Sequence, residues 1–252
     1  GTGESATLLE MEGFGIRPAD KRAMWEETVG QIADMLTMTP YPGFEGRWFS
    51  APPRNIVPKP YQKPHPPMWV AVSTPGTELD AADRGMGALG VNFTTFKAQE
   101  ERVQEYRRRI ANCTPAGAFV NDKLAAANFL FCHEDSATGV ETGKRMIGNF
   151  QYLAGQLDMA KEAFPTKGYP SPGLLAATRR QASSPGDAGE PPEGIAIGNP
   201  DQIVRELKKW ESVGVDQVNF LLNASELIPQ DQVLESLRLF GREVMPHFTK
   251  DA

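Results

Sequence analysis

Two patterns of hydrophobic and polar residues alternate along this chain. Short runs of consecutive apolar residues are typical of strands buried on both faces of a parallel sheet, and apolar residues every three or four positions are typical of amphipathic helices. The apolar runs predict four strands, at Met68–Val72, Ala88–Phe93, Leu124–Phe131 and Val215–Leu222. Helical spacing predicts helices over 18–37, 77–84, 97–111, 136–163, 200–213 and 230–244. Strands that alternate with helices predict an α/β fold built from parallel βαβ units.

Glycine and proline residues mark the ends of several of these elements. Asn199 and Pro200 supply a cap and a first-turn proline for one helix, and Gly85 follows another helix where a stop is favoured. The aromatic and glycine residues of Phe44–Ser50 predict a short hairpin. The proline-rich residues 52–67 cannot continue a helix, so they predict an extended crossing into the first strand.

Residues 165–194 differ in composition from the rest of the chain. They are rich in Pro, Gly, Ser and Ala, and SSPGDAGEPPEG is their most irregular part. Long irregular segments inside compact domains are usually functional loops. We therefore predict a lid here that excludes water from a site.

Composition excludes several classes of function. The formal charge of −6 over 252 residues argues against a nucleic-acid or anionic-membrane partner. The dense basic run, Arg107–Arg109, lies on a predicted helix and is interpreted as a solvated face. Two cysteines and three histidines show no metal-ligand spacing, so we predict no metal site and a reducing, cytoplasmic compartment. No run approaches the roughly 20 apolar residues of a membrane span.

Hydroxyl groups gather where the first predicted strand meets the next helix. Ser73, Thr74 and Thr77 follow the apolar run directly. Free backbone N–H groups and the positive end of the helix dipole favour an anion at such a position, so a phosphate-bearing ligand is one interpretation. An ordinary helix cap at Thr74 or Thr77 is the other interpretation.

Several segments, in order, resemble the bacterial luciferase-like flavin monooxygenases. They are GTG at the start, EGFGI, an arginine in the first helix, VPKPYQKPHPPMWVAVSTPGTELDAADRG, and IGNPDQIVRELKKWESVGVDQVNFLL. The resemblance implies a (β/α)8 TIM-type barrel. It starts at the end of the family's fourth strand, so the chain is expected to be one partial barrel domain, 1–252, truncated at its N-terminus and with about four parallel strands. The absence of an initiator methionine before Gly1 agrees with a processed, truncated or partial start.

The resemblance also implies an activity. Family members use reduced FMN from a separate flavin reductase, and O2, to oxygenate small organic substrates, and they commonly form dimers. The family's catalytic histidine lies in the part that this sequence lacks. None of the three histidines, His65, His133 and His247, occupies its place, so the catalytic residues stay unknown.

The cofactor contacts that the resemblance implies lie at the phosphate end of the flavin. They are Gly3, Arg22, Ser73, Thr74 and Thr77. A guanidinium at Arg22 can bind phosphate in a bidentate manner, and a surface ion pair with Glu26 is the alternative interpretation of the same residue.

Other positions depart from the family pattern or are ambiguous. The resemblance implies that Thr2 stands where many relatives have an arginine, which weakens that contact, and that Val72 stands where luciferase has a glutamate, so a polar flavin contact is lost. Phe93, Asn219 and Phe220 lie at strand positions that face the isoalloxazine or substrate in relatives, although aromatic residues at strand ends are more often core.

Two alternatives remain open. The first is an F420-dependent oxidoreductase of the same superfamily, in which a deazaflavin transfers hydride without oxygen chemistry. The second is a non-catalytic half-barrel that binds flavin or a partner protein. The open sheet edges of a half-barrel would promote dimerisation.

Overall fold

A computed structural model describes residues 1–4, 8–72, 76–91, 96–163, 193–224 and 226–248. The helices are α1 (Leu8–Gly13), α2 (Lys21–Thr37), α3 (Thr77–Asp83), α4 (Phe96–Ile110), α5 (Ser136–Ala163), α6 (Pro200–Ser212) and α7 (Gln230–Glu243), followed by a 3-10 turn at Met245–His247. The strands are β1 (Phe44–Glu45), β2 (Ser50–Ala51), β3 (Trp69–Val72), β4 (Gly87–Val91), β5 (Leu124–Cys132), β6 (Ala196–Gly198) and β7 (Gln217–Leu221). The chain forms two compact units, one of residues 1–90 and 102–124 and the other of residues 91–101 and 125–252.

Parallel strands form the centre of the first unit. β3 pairs with β4 so that Val70 lies beside Ala88. Thr2 extends this arrangement by a parallel bridge to Val70, because its amide donates to the Trp69 carbonyl at 2.7 Å. Buried Val70 and Val72 give β3 an apolar side, as expected for a strand between helices.

A hairpin packs beside α2 in the first unit. β1 and β2 are antiparallel, with Phe44 opposite Ala51, which confirms the predicted hairpin. The Glu27 carboxylate on α2 accepts hydrogen bonds from the amides of three successive residues in the turn, Arg47, Trp48 and Phe49, at 2.8–2.9 Å. Successive amides of this kind form an anion-binding concavity, so a side chain of the protein fixes the turn on the helix.

A buried tyrosine ties α4 to the start of β4 in the first unit. The Tyr106 hydroxyl donates to the carbonyl of Met86 at 2.9 Å, and the tyrosine has no exposed surface. Gly85 lies directly before this point with a φ of 61°, a left-handed conformation that glycine adopts without strain. The predicted helix stop at Gly85 is therefore confirmed.

β5 is the central strand of the second unit. It pairs in parallel with β7 over Ala125–Phe129 and with β6 over Leu130–Cys132. All but one of its nine residues are buried, so the predicted apolar run corresponds to a strand enclosed on both faces.

One carbonyl oxygen connects β5 and α6 in this unit. The oxygen of Gly194 accepts hydrogen bonds from the side chains of Asn128 at 2.7 Å and Trp210 at 2.8 Å. Its amide donates to the Glu206 carboxylate at 2.6 Å, and its φ is 85°. A Cβ at this position would lie 2.5 Å from the ring of Phe96, so the backbone here requires glycine.

The predicted fold class is confirmed as α/β, with parallel strands flanked by helices. All four predicted strands are present, and α6 begins with the predicted cap, because Asn199 accepts from the Gln202 amide at 3.0 Å and Pro200 follows it. α1 and β6 were not predicted, and the region 136–163 is one continuous helix. The predicted lid, residues 165–194, lies outside the described residues except for its last two positions.

Candidate cofactor site

The helix that follows β3 starts at one of the predicted site residues. Thr77 is the first residue of α3, and Gly76, with a φ of 99°, occupies the cap position. The alternative in which Thr77 caps the helix is therefore wrong, because Gly76 holds the cap position and Thr77 is already helical. Ser73 and Thr74 lie outside the described residues, so their roles stay predictions.

A buried carboxylate satisfies the start of α3. Glu78 accepts a hydrogen bond from the Gly76 amide at 2.9 Å and forms two bonds with Arg102, at 2.8 and 2.9 Å. Burial alone would raise the pKa of Glu78, but the hydrogen bonds from Arg102 and the backbone outweigh it and hold the pKa below its ordinary value. The protein thus supplies an anion of its own at this helix terminus.

Gly3 lies beside β3. It follows the bridge between Thr2 and Val70, and a Cβ on it would lie 3.3 Å from the Cβ of Ala71. The Thr2 hydroxyl donates to the Trp69 carbonyl at 3.1 Å and accepts from the Trp25 indole at 3.2 Å. Thr2 therefore has a structural role where many relatives have an arginine.

Arg22 lies among three carboxylates. Its Nε donates to Glu26 at 2.9 Å, its Nη1 to Glu4 at 3.0 Å, and Nη1 and Nη2 both reach Asp80 at 2.7 Å. The hydrogen bond to Asp80 raises the pKa of Arg22 against the desolvation that lowers it, so the guanidinium stays charged. The ion pair with Glu26 that the sequence offered as an alternative is present, together with two contacts that the sequence did not predict.

A second arginine joins this group. Arg84 donates to Glu26 at 3.0 Å and lies 3.9 Å from Asp80. The guanidinium groups of Arg22 and Arg84 lie 5.0 and 4.9 Å from the centroid of the Trp25 ring, a distance typical of cation–π contacts. We call Glu4, Arg22, Glu26, Asp80 and Arg84 the Arg22 cluster. Its formal charge is −1, from three carboxylates and two guanidinium groups.

The Arg22 cluster contains one predicted site residue, Arg22, and two residues that lie close in sequence to the predicted residues Gly3 and Thr77. Glu4, which follows Gly3, and Asp80, which lies one turn after Thr77, both contact Arg22. Backbone amides, a hydroxyl and a guanidinium are the groups that bind phosphate in proteins. The Arg22 guanidinium is a group of this kind, although the three carboxylates around it oppose a phosphate, and the roles of Gly3, Arg22 and Thr77 in binding one stay predictions.

Sequence reasoning missed Asp80 and Arg84. Asp80 lies on α3 and Arg84 caps its C-terminus, and their i,i+4 spacing is that of an ion pair on one helix face. That signal was present in the sequence, but it could not show that the pair faces Arg22 on α2.

His65, which was excluded as a catalytic residue, has a clear structural role. Its ring is buried, accepts a hydrogen bond at Nε2 from the Ala118 amide at 2.9 Å, and stacks on Phe119 at 4.9 Å. Because Nε2 is an acceptor, Nδ1 carries the proton and donates to the Pro66 carbonyl at 2.8 Å. The neutral imidazole is thus used for packing.

Three further residues, Phe93, Asn219 and Phe220, were predicted at strand positions near the flavin ring or the substrate. Phe93 lies outside the described residues. Asn219 and Phe220 are half-buried in β7, and the Phe220 ring packs edge-on against Phe240 at 5.4 Å. This contact with Phe240 favours the packing interpretation of Phe220.

A cavity lies at the carboxyl end of β5 in the second unit. Its volume is about 570 Å³, within the range of small-molecule sites. It is lined by Phe131, Cys132, His133, Glu134, Thr138, Thr142, Gln232, Glu235, Ser236, Arg238, Leu239 and Arg242. Burial, with a smaller effect from the charge of Glu243, raises the pKa of the Cys132 thiol to about 11. A thiol of this kind is protonated at neutral pH and is a poor nucleophile.

The described residues contain no group of three or more His, Cys, Asp or Glu side chains arranged to hold a metal ion. Within the same ranges, no helix combines the length and the apolar character that crossing a membrane requires.

Solved structures with a similar fold include both oxygenases and F420 enzymes. The monooxygenase RslO1 from Streptomyces bottropensis is 19% identical with a TM-score of 0.66, and the match covers 98% of this chain and 68% of that one. The oxygenating constituent of 3,6-diketocamphane monooxygenase from Pseudomonas putida, a type II Baeyer–Villiger monooxygenase in complex with FMN, is 16% identical with a TM-score of 0.64 and coverages of 97% and 70%. The coenzyme F420-dependent tetrahydromethanopterin reductase from Methanopyrus kandleri is 16% identical with a TM-score of 0.59 and coverages of 98% and 73%.

Sequence comparison gives a family. No curated protein sequence matches the chain. The sequence profile described as luciferase-like monooxygenase matches residues 1–217, which is most of the chain. The resemblance that the order of motifs suggested is therefore confirmed, and the chain belongs to the luciferase-like monooxygenase family.

Proposed function

We propose that this protein is a flavin-dependent monooxygenase that uses reduced FMN and O2 to oxygenate a small organic substrate. The observation that carries the proposal is the match of the luciferase-like monooxygenase profile to residues 1–217. A structure of similar fold that contains FMN supports the choice of cofactor. When bound, reduced FMN supplies two electrons to O2, so that one oxygen atom enters the substrate and the other leaves as water.

In this proposal the phosphate of FMN binds in the first unit. Gly3, which has no side chain, leaves room beside β3, and Arg22 provides a guanidinium for two phosphate oxygens. Thr77 adds a hydroxyl at the start of α3, and Ser73 and Thr74 add further donors. These residues bind and orient the cofactor, while a separate reductase provides it in reduced form and the chain works as a homo- or heterodimer.

The experiment that tests the proposal combines binding and oxygen uptake. The protein is titrated with FMN by flavin fluorescence, and O2 consumption is then followed after addition of chemically reduced FMN with a panel of aldehydes, ketones, alkanes and sulfonates. We expect FMN binding and a substrate that couples O2 uptake to a product containing one added oxygen atom. Binding without any coupled substrate in a broad panel would instead support the non-catalytic alternative.

F420-dependent hydride transfer is the second candidate function. It is favoured by the similar folds of the F420-dependent reductase and of an F420-dependent secondary alcohol dehydrogenase, which has a TM-score of 0.64 and 16% identity. The same titration with F420 separates the two candidates. Binding of F420 but not FMN, with loss of F420 absorbance on addition of an alcohol and no O2 uptake, would replace the first proposal by the second.

A further inference from the structure

We propose that Asp80 competes with phosphate for the Arg22 guanidinium, and that the Arg22 cluster thereby sets how strongly this protein distinguishes FMN from riboflavin. The inference rests on the proposed function for its ligand.

All three guanidinium nitrogens of Arg22 already contact a carboxylate. Asp80 holds the two terminal nitrogens at 2.7 Å each, Glu26 holds Nε, and Glu4 shares Nη1. The fork formed by two terminal nitrogens is the arrangement that binds a carboxylate or a phosphate in a bidentate manner. A phosphate can therefore use this fork only when Asp80 leaves it.

The charge of the cluster opposes a phosphate. Three carboxylates and two guanidinium groups leave a net charge of −1, and a phosphate monoester brings a further charge of about −1.5 to −2 at pH 7. Arg22 and Asp80 are each about one-third exposed, at 35% and 33% of their side chains, so water and salt partly screen the repulsion. Removal of one carboxylate charge should therefore raise the affinity of Arg22 for a phosphate.

Asp80 is the carboxylate whose removal should matter most. It makes two of the contacts to Arg22, whereas Glu4 makes one and Glu26 keeps Arg84 as a second partner. It also lies in the first turn of α3, one turn from Thr77, where the proposed phosphate binds. The isosteric change Asp80→Asn removes the charge but keeps a side-chain oxygen that can still accept a hydrogen bond from Arg22.

Riboflavin provides the comparison because it has the FMN ring system and no phosphate. We expect Asp80→Asn to tighten FMN binding at least on the order of fivefold, which is the effect of removing one unit charge about 4 Å from another at the dielectric constant of bulk water, and to change riboflavin binding less than about twofold. Arg22→Met should weaken FMN and leave riboflavin unchanged within the same limit. Both dissociation constants are measured by flavin fluorescence at two ionic strengths, and the gain in Asp80→Asn should shrink at high salt.

Glu105→Gln is the matched control. It also removes one carboxylate from the first unit, but Glu105 pairs with Arg108 and does not contact the Arg22 cluster. We expect its FMN and riboflavin affinities to equal those of the parent. A gain in FMN affinity as large as that of Asp80→Asn would assign the effect to net charge and overturn the proposal.

Two further results would also overturn it. If Asp80→Asn changes the affinities for FMN and riboflavin equally, Asp80 acts on the flavin ring system or on folding. If the variant binds FMN more weakly than the parent, Asp80 positions Arg22 for the ligand. Glu4→Gln serves as a second variant if Asp80→Asn does not fold, because Glu4 makes a single contact to Arg22; a smaller gain of the same selectivity is expected.

Failure of the proposed function has a distinct signature. A protein that binds neither FMN nor riboflavin is tested with inorganic phosphate by thermal unfolding. If phosphate raises the unfolding temperature of Asp80→Asn more than that of the parent and of Glu105→Gln, Asp80 competes with phosphate for Arg22, and only the identification of the ligand as a flavin is wrong. No difference among the three proteins overturns the competition itself.

Discussion

The carboxylate of Glu27 occupies the space that a side chain at Gly46 would need. A Cβ on Gly46 would lie 2.4 Å from Glu27 Oε1 and 2.5 Å from the ring of Phe44. The carboxylate cannot move away without giving up its bonds to three amides of the turn. We therefore expect Gly46→Ala to lower the urea concentration at the midpoint of unfolding.

Gly30→Ala is the control for this prediction. Gly30 lies inside α2 of the same unit, and a Cβ there meets no atom within 4 Å. Alanine inside a helix is favoured over glycine by about 0.5–1 kcal/mol where its Cβ meets no other atom, so this variant should be more stable than the parent. A Gly46→Ala protein as stable as Gly30→Ala would show that the Glu27 contact is dispensable.

The pair of Glu78 and Arg102 should make stability depend on pH in the acid range. The pKa of Glu78 is lower in the folded state than its unfolded value of about 4.3, so its contribution is present in full above about pH 5. It is lost as the pH falls through the folded pKa. We expect Glu78→Gln to cost about 2 kcal/mol or more in unfolding free energy at pH 7, because Arg102 is left unpaired.

The measurement is urea unfolding of the parent and Glu78→Gln at pH 7, 5, 4 and 3. The difference between the two proteins should shrink from pH 5 downwards. A difference that is constant over this range would show that the side chain stabilises by packing and not through its charge.

Most of the fold could be predicted because its signals are local. The predicted strand at Met68–Val72 differs from β3 by one residue, and the apolar run of β5 was long enough to identify alone. β6 was missed because its three residues, Ala196–Gly198, are too few to show a repeating pattern of apolar positions. Its pairing with β5 also depends on residues that are distant in sequence.

The two cysteines should differ in reactivity. Cys113 is partly exposed, whereas Cys132 is buried in β5 and its pKa is raised to about 11. At pH 8 about one in a thousand Cys132 thiols is a thiolate, the reactive form. We expect a thiol reagent to label one cysteine rapidly in the native protein and both in urea. Cys113→Ser should abolish the rapid phase, and a rapid phase that persists in this variant would contradict the burial of Cys132.

Gly194 should tolerate no side chain. Its positive φ and the Phe96 ring 2.5 Å from a Cβ position both oppose one, so we expect Gly194→Ala to cost about 2 kcal/mol or more in unfolding free energy. Gly241→Ala in α7 of the same unit, where a Cβ meets no atom within 4 Å, should be neutral or stabilising. Equal stability of the two variants in guanidinium unfolding would refute the requirement.

The candidate site was predicted less completely than the fold. Arg22 and Thr77 came from the order of motifs, but Glu4 and Asp80 are 18 and 58 residues from Arg22 in sequence. Their contacts form only after α2 and α3 pack together. A single sequence identifies which residue types are present near a site, whereas the partners of a charged group depend on tertiary structure.

Trp25 gives the protein a built-in optical probe. Its indole lies under two guanidinium groups and donates a hydrogen bond to Thr2, so we expect its emission to depend on the positions of Arg22 and Arg84. In a variant in which Trp48, Trp69 and Trp210 are replaced by phenylalanine, an anion that draws Arg22 away from the ring changes the fluorescence lifetime of the remaining tryptophan. Occupation of the cluster can then be followed in real time without a label.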